Sequence, residues 1–281
     1  MGNFKHKKSL GQNFLKNQNV IDKIVSHASV KDRCVIEIGP GEGVLTEALA
    51  QKAQRVVAIE LDDRLIDALK SKFKKYENVI IVHDDVLHMN IEEIVKKYST
   101  DFEYDVVANI PYYITAPIIR LFLETKNKPR EIILMVQKEV AERLSAQPGQ
   151  MSVLAVSAQY YANVEYLFSV PREDFEPVPN VDSAVVKLKV KDKQQELLSN
   201  KNFFQIVKIG FSAKRKTLAN NLANGLQIDK KEIERILEQQ GLGSSARAQE
   251  LSIQDWKNLQ KAFKFSDQKE IENLLHVHIC P

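Results

Sequence analysis

The sequence predicts an α/β fold: a doubly wound sheet of seven strands in the first two thirds, then a small all-helical domain. Three observations lead there. Short β-branched runs alternate with helix-spaced segments as far as Leu144. A glycine-rich loop joins the first such run to the helix after it. After about Lys191 the composition turns from β-branched to helical. The expected domains are 1–190 and 191–281.

The elements follow in order. A basic arm containing Lys8-Ser9-Leu10-Gly11-Gln12-Asn13-Phe14-Leu15 precedes a helix over 19–28. Phe14 and Leu15 give the arm something to bury. Gln12 and Asn13 give it amides to point at a ligand. Arg33 to Ile38 is the first strand, and it runs into Gly39-Pro40-Gly41-Glu42-Gly43 and a helix over 44–52. Strand, glycine loop and helix make a nucleotide-binding turn. Gly39 and Gly41 let the backbone approach a ligand, and the helix start supplies free N–H groups. Glu37 would repel a pyrophosphate. It suits a ligand with positive charge, such as the ammonium and sulfonium of S-adenosylmethionine, and so favours a methyl donor over NAD.

Arg55 to Glu60 is the second strand. Glu60 lies 17 residues past Gly43, near the offset of about 20 where an acid binds ribose hydroxyls. A helix follows over 64–75. The third strand, 78–82, leads into His83-Asp84-Asp85-Val86, where a carboxylate can accept from an adenine amino group. After a helix over 91–97, Tyr104 to Ala108 forms a fourth strand and delivers Asn109 at its carboxyl end, where open α/β sheets place their ligands.

Asn109-Ile110-Pro111-Tyr112 suits one task, holding an amino group on a flat heteroaromatic ring. An adenine N6 is a poor nucleophile because its lone pair is delocalised into the ring. Two acceptors on its N–H bonds draw that pair back onto nitrogen. The Asn109 side-chain oxygen is one, and the Ile110 carbonyl, held extended by Pro111, is the other. Tyr112 offers a face for the base, and such stacking contributes roughly 1–3 kcal/mol.

Beyond this rim come a helix over 116–124, a strand over 131–136 and a helix over 138–144. Met151 to Tyr161 reads as a β-type run and Val181 to Val190 as an alternating strand. Paired as an antiparallel edge, the two bring the sheet to seven strands. Between them Phe175 to Val181 is a proline-pinned loop that walls the base pocket, with Phe175 a second stacking face. The C-terminal helices are expected at 202–210, 215–223, 229–239 and 252–263. Lys214, Arg215 and Lys216 stand at the start of the second, where cations oppose the helix macrodipole. A phosphate partner would remove that conflict.

Composition bounds the function. Apolar residues make up 44% of the chain and charged residues 27%, as in ordinary globular proteins. No apolar run nears the roughly 18 residues of a membrane span, and no apolar segment follows the N-terminal lysines as in a signal peptide. Two distant cysteines, Cys34 and Cys280, suggest neither a disulfide framework nor a metal site, and fit a reducing cytoplasm. Positive charge is gathered at the ends. Residues 1–16 hold Lys5, Lys7, Lys8 and Lys16 and no acid, and residues 191–281 hold 15 Lys+Arg against 11 Asp+Glu, against a total of only +3. Such ends can follow a phosphate backbone. His276 and His278 read as a solvated tail.

These residues resemble the KsgA-type ribosomal RNA small-subunit adenine N6,N6-dimethyltransferases over nearly the whole chain. The matching stretches include GQNFL (11–15), EIGPGEG (37–43), Glu60, Asp85, NIPYYIT (109–115), MVQKEVAERL (135–144), PVPNVDSAVVKL (177–188), KRKTLANNL (214–222) and RAQEL (247–251). Other adenine-N6 methyltransferases share the NIPY motif, whereas QKEVAERL, VDSAVV and KRKTLANNL are more particular. One departure is Met151-Ser152, where the family usually has Tyr-Gly. The resemblance implies a seven-stranded, Rossmann-like methyltransferase sheet and S-adenosylmethionine contacts at Asn13, Leu15, Gly39, Glu60, Asp85 and Asn109. It also implies a substrate of two adjacent adenines in a hairpin loop near the 3′ end of small-subunit rRNA. The expected enzyme is a cytoplasmic monomer acting on immature 30S subunits, without a metal. The competing readings are an erythromycin-resistance-type enzyme acting on large-subunit rRNA, a DNA adenine methyltransferase, and a non-catalytic ribosome-assembly or transcription factor.

Overall fold

The computed structural model describes residues 13–191 and 200–263. They form two compact units, 13–145 with 158–191 and 146–157 with 200–263. The second unit thus also takes in residues 146–157, from well before the boundary expected at 190.

The first unit is built on a seven-stranded sheet. A two-residue strand, β1 (Phe14–Leu15), precedes helix α1 (Gln18–His27), whose first turn is capped by the Asn17 side chain. Then β2 (Cys34–Ile38), α2 (Val44–Ala50), β3 (Arg55–Glu60), α3 (Asp63–Lys72) and β4 (Val79–His83) alternate. They continue through α4 (Ile91–Tyr98), β5 (Asp105–Asn109), α5 (Thr115–Glu124), β6 (Glu131–Gln137) and α6 (Lys138–Leu144). Strands β2 to β6 are parallel and lie in the order β4-β3-β2-β5-β6. All five residues of β2 are buried, including Glu37, as befits a strand covered on both faces. The order reverses between β2 and β5, so the glycine loop and Asn109 flank the switch point where such sheets bind ligands.

The far edge corrects the sequence reading. Residues 151–161 are not a strand, for Val153–Tyr161 is helix α7. The Ser152 hydroxyl accepts from the Ala155 N–H at 3.2 Å, a helix-starting contact. Ala155, Val156, Ala158 and Tyr160 are all buried. A helix apolar on every side shows no 3.6-residue period, and its valines and tyrosines mimic a strand. The seventh strand is instead β7 (Ala162–Val170), followed by the short β8 (Phe175–Glu176) and β9 (Ser183–Val190). β9 runs antiparallel between β6 and β7, while β8 pairs with β1 in a separate two-stranded ribbon.

The second unit contains α8 (Asn200–Gly210), α9 (Leu218–Leu226), α10 (Lys230–Gln239) and α11 (Ile253–Ala262). α9 starts later than expected, because Thr217 caps it by accepting from the Asn220 N–H. Lys214, Arg215 and Lys216 therefore occupy the turn before the cap, and none of them lies in the first helical turn. Buried Asn221 braces that turn by donating to the Gly210 carbonyl at 2.6 Å and the Ala213 carbonyl at 3.1 Å. Trp256, fully buried, stacks on Phe211. Among the described residues, no helix is long and apolar enough to cross a membrane.

Candidate active site

One cavity lies at the carboxyl ends of β2, β3, β4 and β5, and the fold explains which side chains reach it. Parallel strands end on one rim, so residues at or just past successive ends become neighbours in space. Asn13, Leu15, Glu37, Gly39, Gly41, Glu60, Asp85, Asn109, Ile110, Pro111, Tyr112 and Phe175 all line it. Gln12 lies outside the described residues. Lys214, Arg215 and Lys216 belong to the second unit and are exposed.

The floor is the glycine loop. Gly39 and Gly41 have φ of +64° and +58°, a conformation that favours glycine. A methyl group on Gly41 would come within 2.6 Å of the Phe14 ring, whereas one on Gly39 would meet nothing within 4 Å. The backbone of Gly39 is therefore bare toward the cavity. The Gly41 N–H donates to Glu60 at 3.1 Å and the Asp62 N–H at 2.8 Å, one to each carboxylate oxygen. Each oxygen keeps a second lone pair for a ligand hydroxyl. Burial raises the Glu60 pKa despite these bonds.

Glu37 is the least satisfied group in the site. It is 1% exposed, and its Oε2 has no hydrogen-bond partner, nor has the buried Thr46 hydroxyl. Burial pushes its carboxyl up to about 8, with the neighbouring Glu60 charge adding to the effect. A buried carboxylate with one unpaired oxygen on a cavity wall fits a cationic ligand. Asp85, half-buried, accepts from the Leu87 N–H at 3.0 Å and lies 2.9 Å from His88 Nδ1.

The arm closes the front. Phe14 and Leu15 pair with Glu176 and Phe175. Lys16 bonds Glu42 at 2.7 Å, its N–H donates to the Asp174 carbonyl, and Asn17 donates to the Asp174 carboxylate. Asn109 Nδ2 donates to the Asn13 carbonyl at 3.4 Å. Tyr112, half-buried, meets Ser183 through its hydroxyl at 2.8 Å, and burial raises its pKa. Phe175 is only 3% exposed, so it is a packed wall.

Sequence reasoning did not single out Ile38, Leu61, Val86 or Tyr113, which also line the cavity. Each adjoins a residue already singled out or lies one position beyond it, so strand-end position was the signal. Leu61 and Tyr113 remain exposed and offer apolar surface. Among the described residues, no group of three or more His, Cys, Asp or Glu could hold a metal ion. Cys34 is a buried free thiol whose pKa burial raises to about 11.

The model of the ribosomal RNA adenine dimethylase family matches residues 3–264. The ribosomal RNA small subunit methyltransferase A of Dehalococcoides mccartyi (strain CBDB1) is 45% identical over 257 residues, 91% of this chain and 87% of that protein. Its namesake from Bacillus cytotoxicus is 43% identical over 267 residues, 92% of this chain and 91% of the relative. Among solved structures, the 23S rRNA methyltransferase ErmE matches with a TM-score of 0.73 at 28% identity, covering 89% of this chain and 99% of its own. A dimethyladenosine transferase from Plasmodium falciparum matches with a TM-score of 0.74 at 29% identity, covering 88% and 95%. The match runs through both units and includes the strand-end rim, and the chain belongs to the ribosomal RNA adenine dimethylase family.

Proposed function

We propose that this protein dimethylates N6 of two adjacent adenosines in a hairpin loop near the 3′ end of small-subunit (16S) rRNA, during 30S subunit biogenesis. The observation that carries this reading is the state of Asn109. Its amide nitrogen is engaged by the Asn13 carbonyl, which turns Oδ1 into an acceptor for an amino group on the cavity rim. With the Ile110 carbonyl as second acceptor, N6 is held with its lone pair available. Tyr112 supplies a face for a base that has left its stack, and Phe175 is the packed wall of the same cavity.

S-adenosylmethionine, when bound, supplies an electrophilic methyl group on a sulfonium sulfur. Glu37 would hold its cationic end, Glu60 the ribose hydroxyls and Asp85 the adenine amino group. Gly39, Gly41, Asn13 and Leu15 would shape the space around it, with Gln12 assigned to the same ligand. No covalent nucleophile is needed, since orientation and local charge supply the rate. Lys214, Arg215 and Lys216 have no ion pair among the described residues, which leaves them available to RNA phosphates. The same reading has a monomer acting in the cytoplasm on immature 30S subunits.

The likeness to ErmE keeps a large-subunit target as a second reading. Radiolabelled methyl incorporation tests both. Label is expected in under-methylated small subunits, on two neighbouring adenosines. Label confined to large subunits or their rRNA would transfer the assignment to the second reading, and no label anywhere would remove both.

A further inference from the structure

The VDSAVV segment stands out in the sequence, yet the proposed chemistry uses none of it. We propose that Asp182-Ser183 is the positioning element of the base pocket, with Ser183 holding the Tyr112 ring and Asp182 holding the loop that leads to Phe175. The inference rests on the reading of Tyr112 as the face that receives the target adenine and of Phe175 as a wall of the same pocket.

The geometry supports it on three sides. Ser183 opens β9, pairs with Gln137 of β6 and Val170 of β7, and is fully buried. A buried hydroxyl needs a partner, and this one has the Tyr112 hydroxyl at 2.8 Å. Tyr112 sits in a single 3₁₀ turn, Tyr112–Ile114, after Pro111, where no regular ladder fixes its ring. The bond to Ser183 anchors the far end of that ring to the sheet. Ring plane and rim then move together.

Asp182 ties down the other wall. Its carboxylate accepts from the Arg172 N–H at 3.2 Å, and its carbonyl accepts from the Lys138 N–H at 3.0 Å. Arg172 starts the short turn Arg172–Asp174 that delivers Phe175. Two adjacent residues therefore set the register of both aromatic walls from one strand end. Neither is placed to touch the reacting atoms, so their effect passes through Tyr112 and Phe175.

The test is a double-mutant cycle on the full chain with under-methylated small subunits. Ser183→Ala should lower kcat/KM about tenfold, the loss typical of one hydrogen bond with a partner left behind, with donor affinity unchanged. Tyr112→Phe, which keeps the ring and removes only the hydroxyl, should give the same loss. The double variant should be no worse than either single one. Ring order is read separately by ¹⁹F NMR on fluorotyrosine-labelled protein, where Ser183→Ala should broaden or split the Tyr112 resonance. Additive losses, or an unchanged resonance with wild-type kinetics, would overturn the inference. A sharp wild-type resonance that Ser183→Ala disorders, in a protein that methylates no adenosine, would keep the anchor and overturn the proposed function alone.

Discussion

Asn109 at the end of β5 donates its side-chain N–H to the carbonyl of Asn13, joining the sheet rim to the arm that precedes α1. The bond fixes which end of the amide faces the cavity. Asn109→Ala removes the acceptor and should lower methyl transfer about a hundred- to a thousandfold, as for other preorganised polar groups. Donor binding should persist in part, because Glu37 and Glu60 remain. Single-turnover kinetics beside equilibrium donor binding separate the two effects, and unchanged turnover would refute the assignment.

Glu37 predicts a pH dependence with a definite sign. Its carboxyl is raised to about 8 by burial, so at pH 7 the ligand-free protein carries it mostly neutral. A cationic donor favours the carboxylate. Binding should therefore release a proton below pH 8, and affinity should fall by up to about tenfold per pH unit as pH drops. Calorimetry in buffers of different ionisation enthalpy measures the released proton. Glu37→Gln should bind donor weakly at every pH, with no release.

The same shift bears on stability. A folded value above the unfolded one means that the contribution of the neutral group is complete below the ordinary carboxylate range. It is lost as pH rises toward 8. Glu37→Gln should raise the melting temperature of the ligand-free protein at pH 8 and leave it nearly unchanged at pH 5. Equal shifts at both pH values would contradict the burial of this carboxyl.

Gly39 and Gly41 should separate folding from binding. Both have positive φ, so alanine at either costs about 1 kcal/mol or more in backbone strain. At Gly41 the added methyl also collides with Phe14 and should loosen the arm. At Gly39 it meets no protein atom and should affect donor affinity far more than melting temperature. Thermal scans and donor titrations on the two variants check this contrast.

Neutralising Lys214, Arg215 and Lys216 together should lower RNA affinity and flatten its salt dependence by about two to three in log–log slope. Methyl-donor affinity should stay the same. Filter binding across a salt series is sufficient. An unchanged slope would remove the basic turn from the RNA interface.

Much of this molecule was legible in the sequence because parallel strands announce themselves. Buried on both faces, β2, β3, β5 and β6 are mostly apolar runs, and β3 and β5 end in Glu60 and Asn109, the residues that chemistry singles out. Arg55–Glu60 and Lys138–Leu144 have the bounds that the pattern suggested. The failures share a cause. Val153–Tyr161 is apolar on all sides and gives no period, so it passed for a strand. Ala162–Val170 sits at the sheet edge, where polar side chains interrupt the alternation. In the site, side chains at strand ends could be named, but the Ser183–Tyr112 bond could not. It joins residues 71 apart, and no local pattern encodes such a distance.

The ribbon of Phe14–Leu15 with Phe175–Glu176 has a consequence for the newborn chain. The strand that secures the segment fronting the pocket is made 160 residues after it, for Leu15 pairs with Phe175. Until then Phe14 has no β8 to lie against. The pocket is thus left unfinished until Phe175 and Glu176 have been translated.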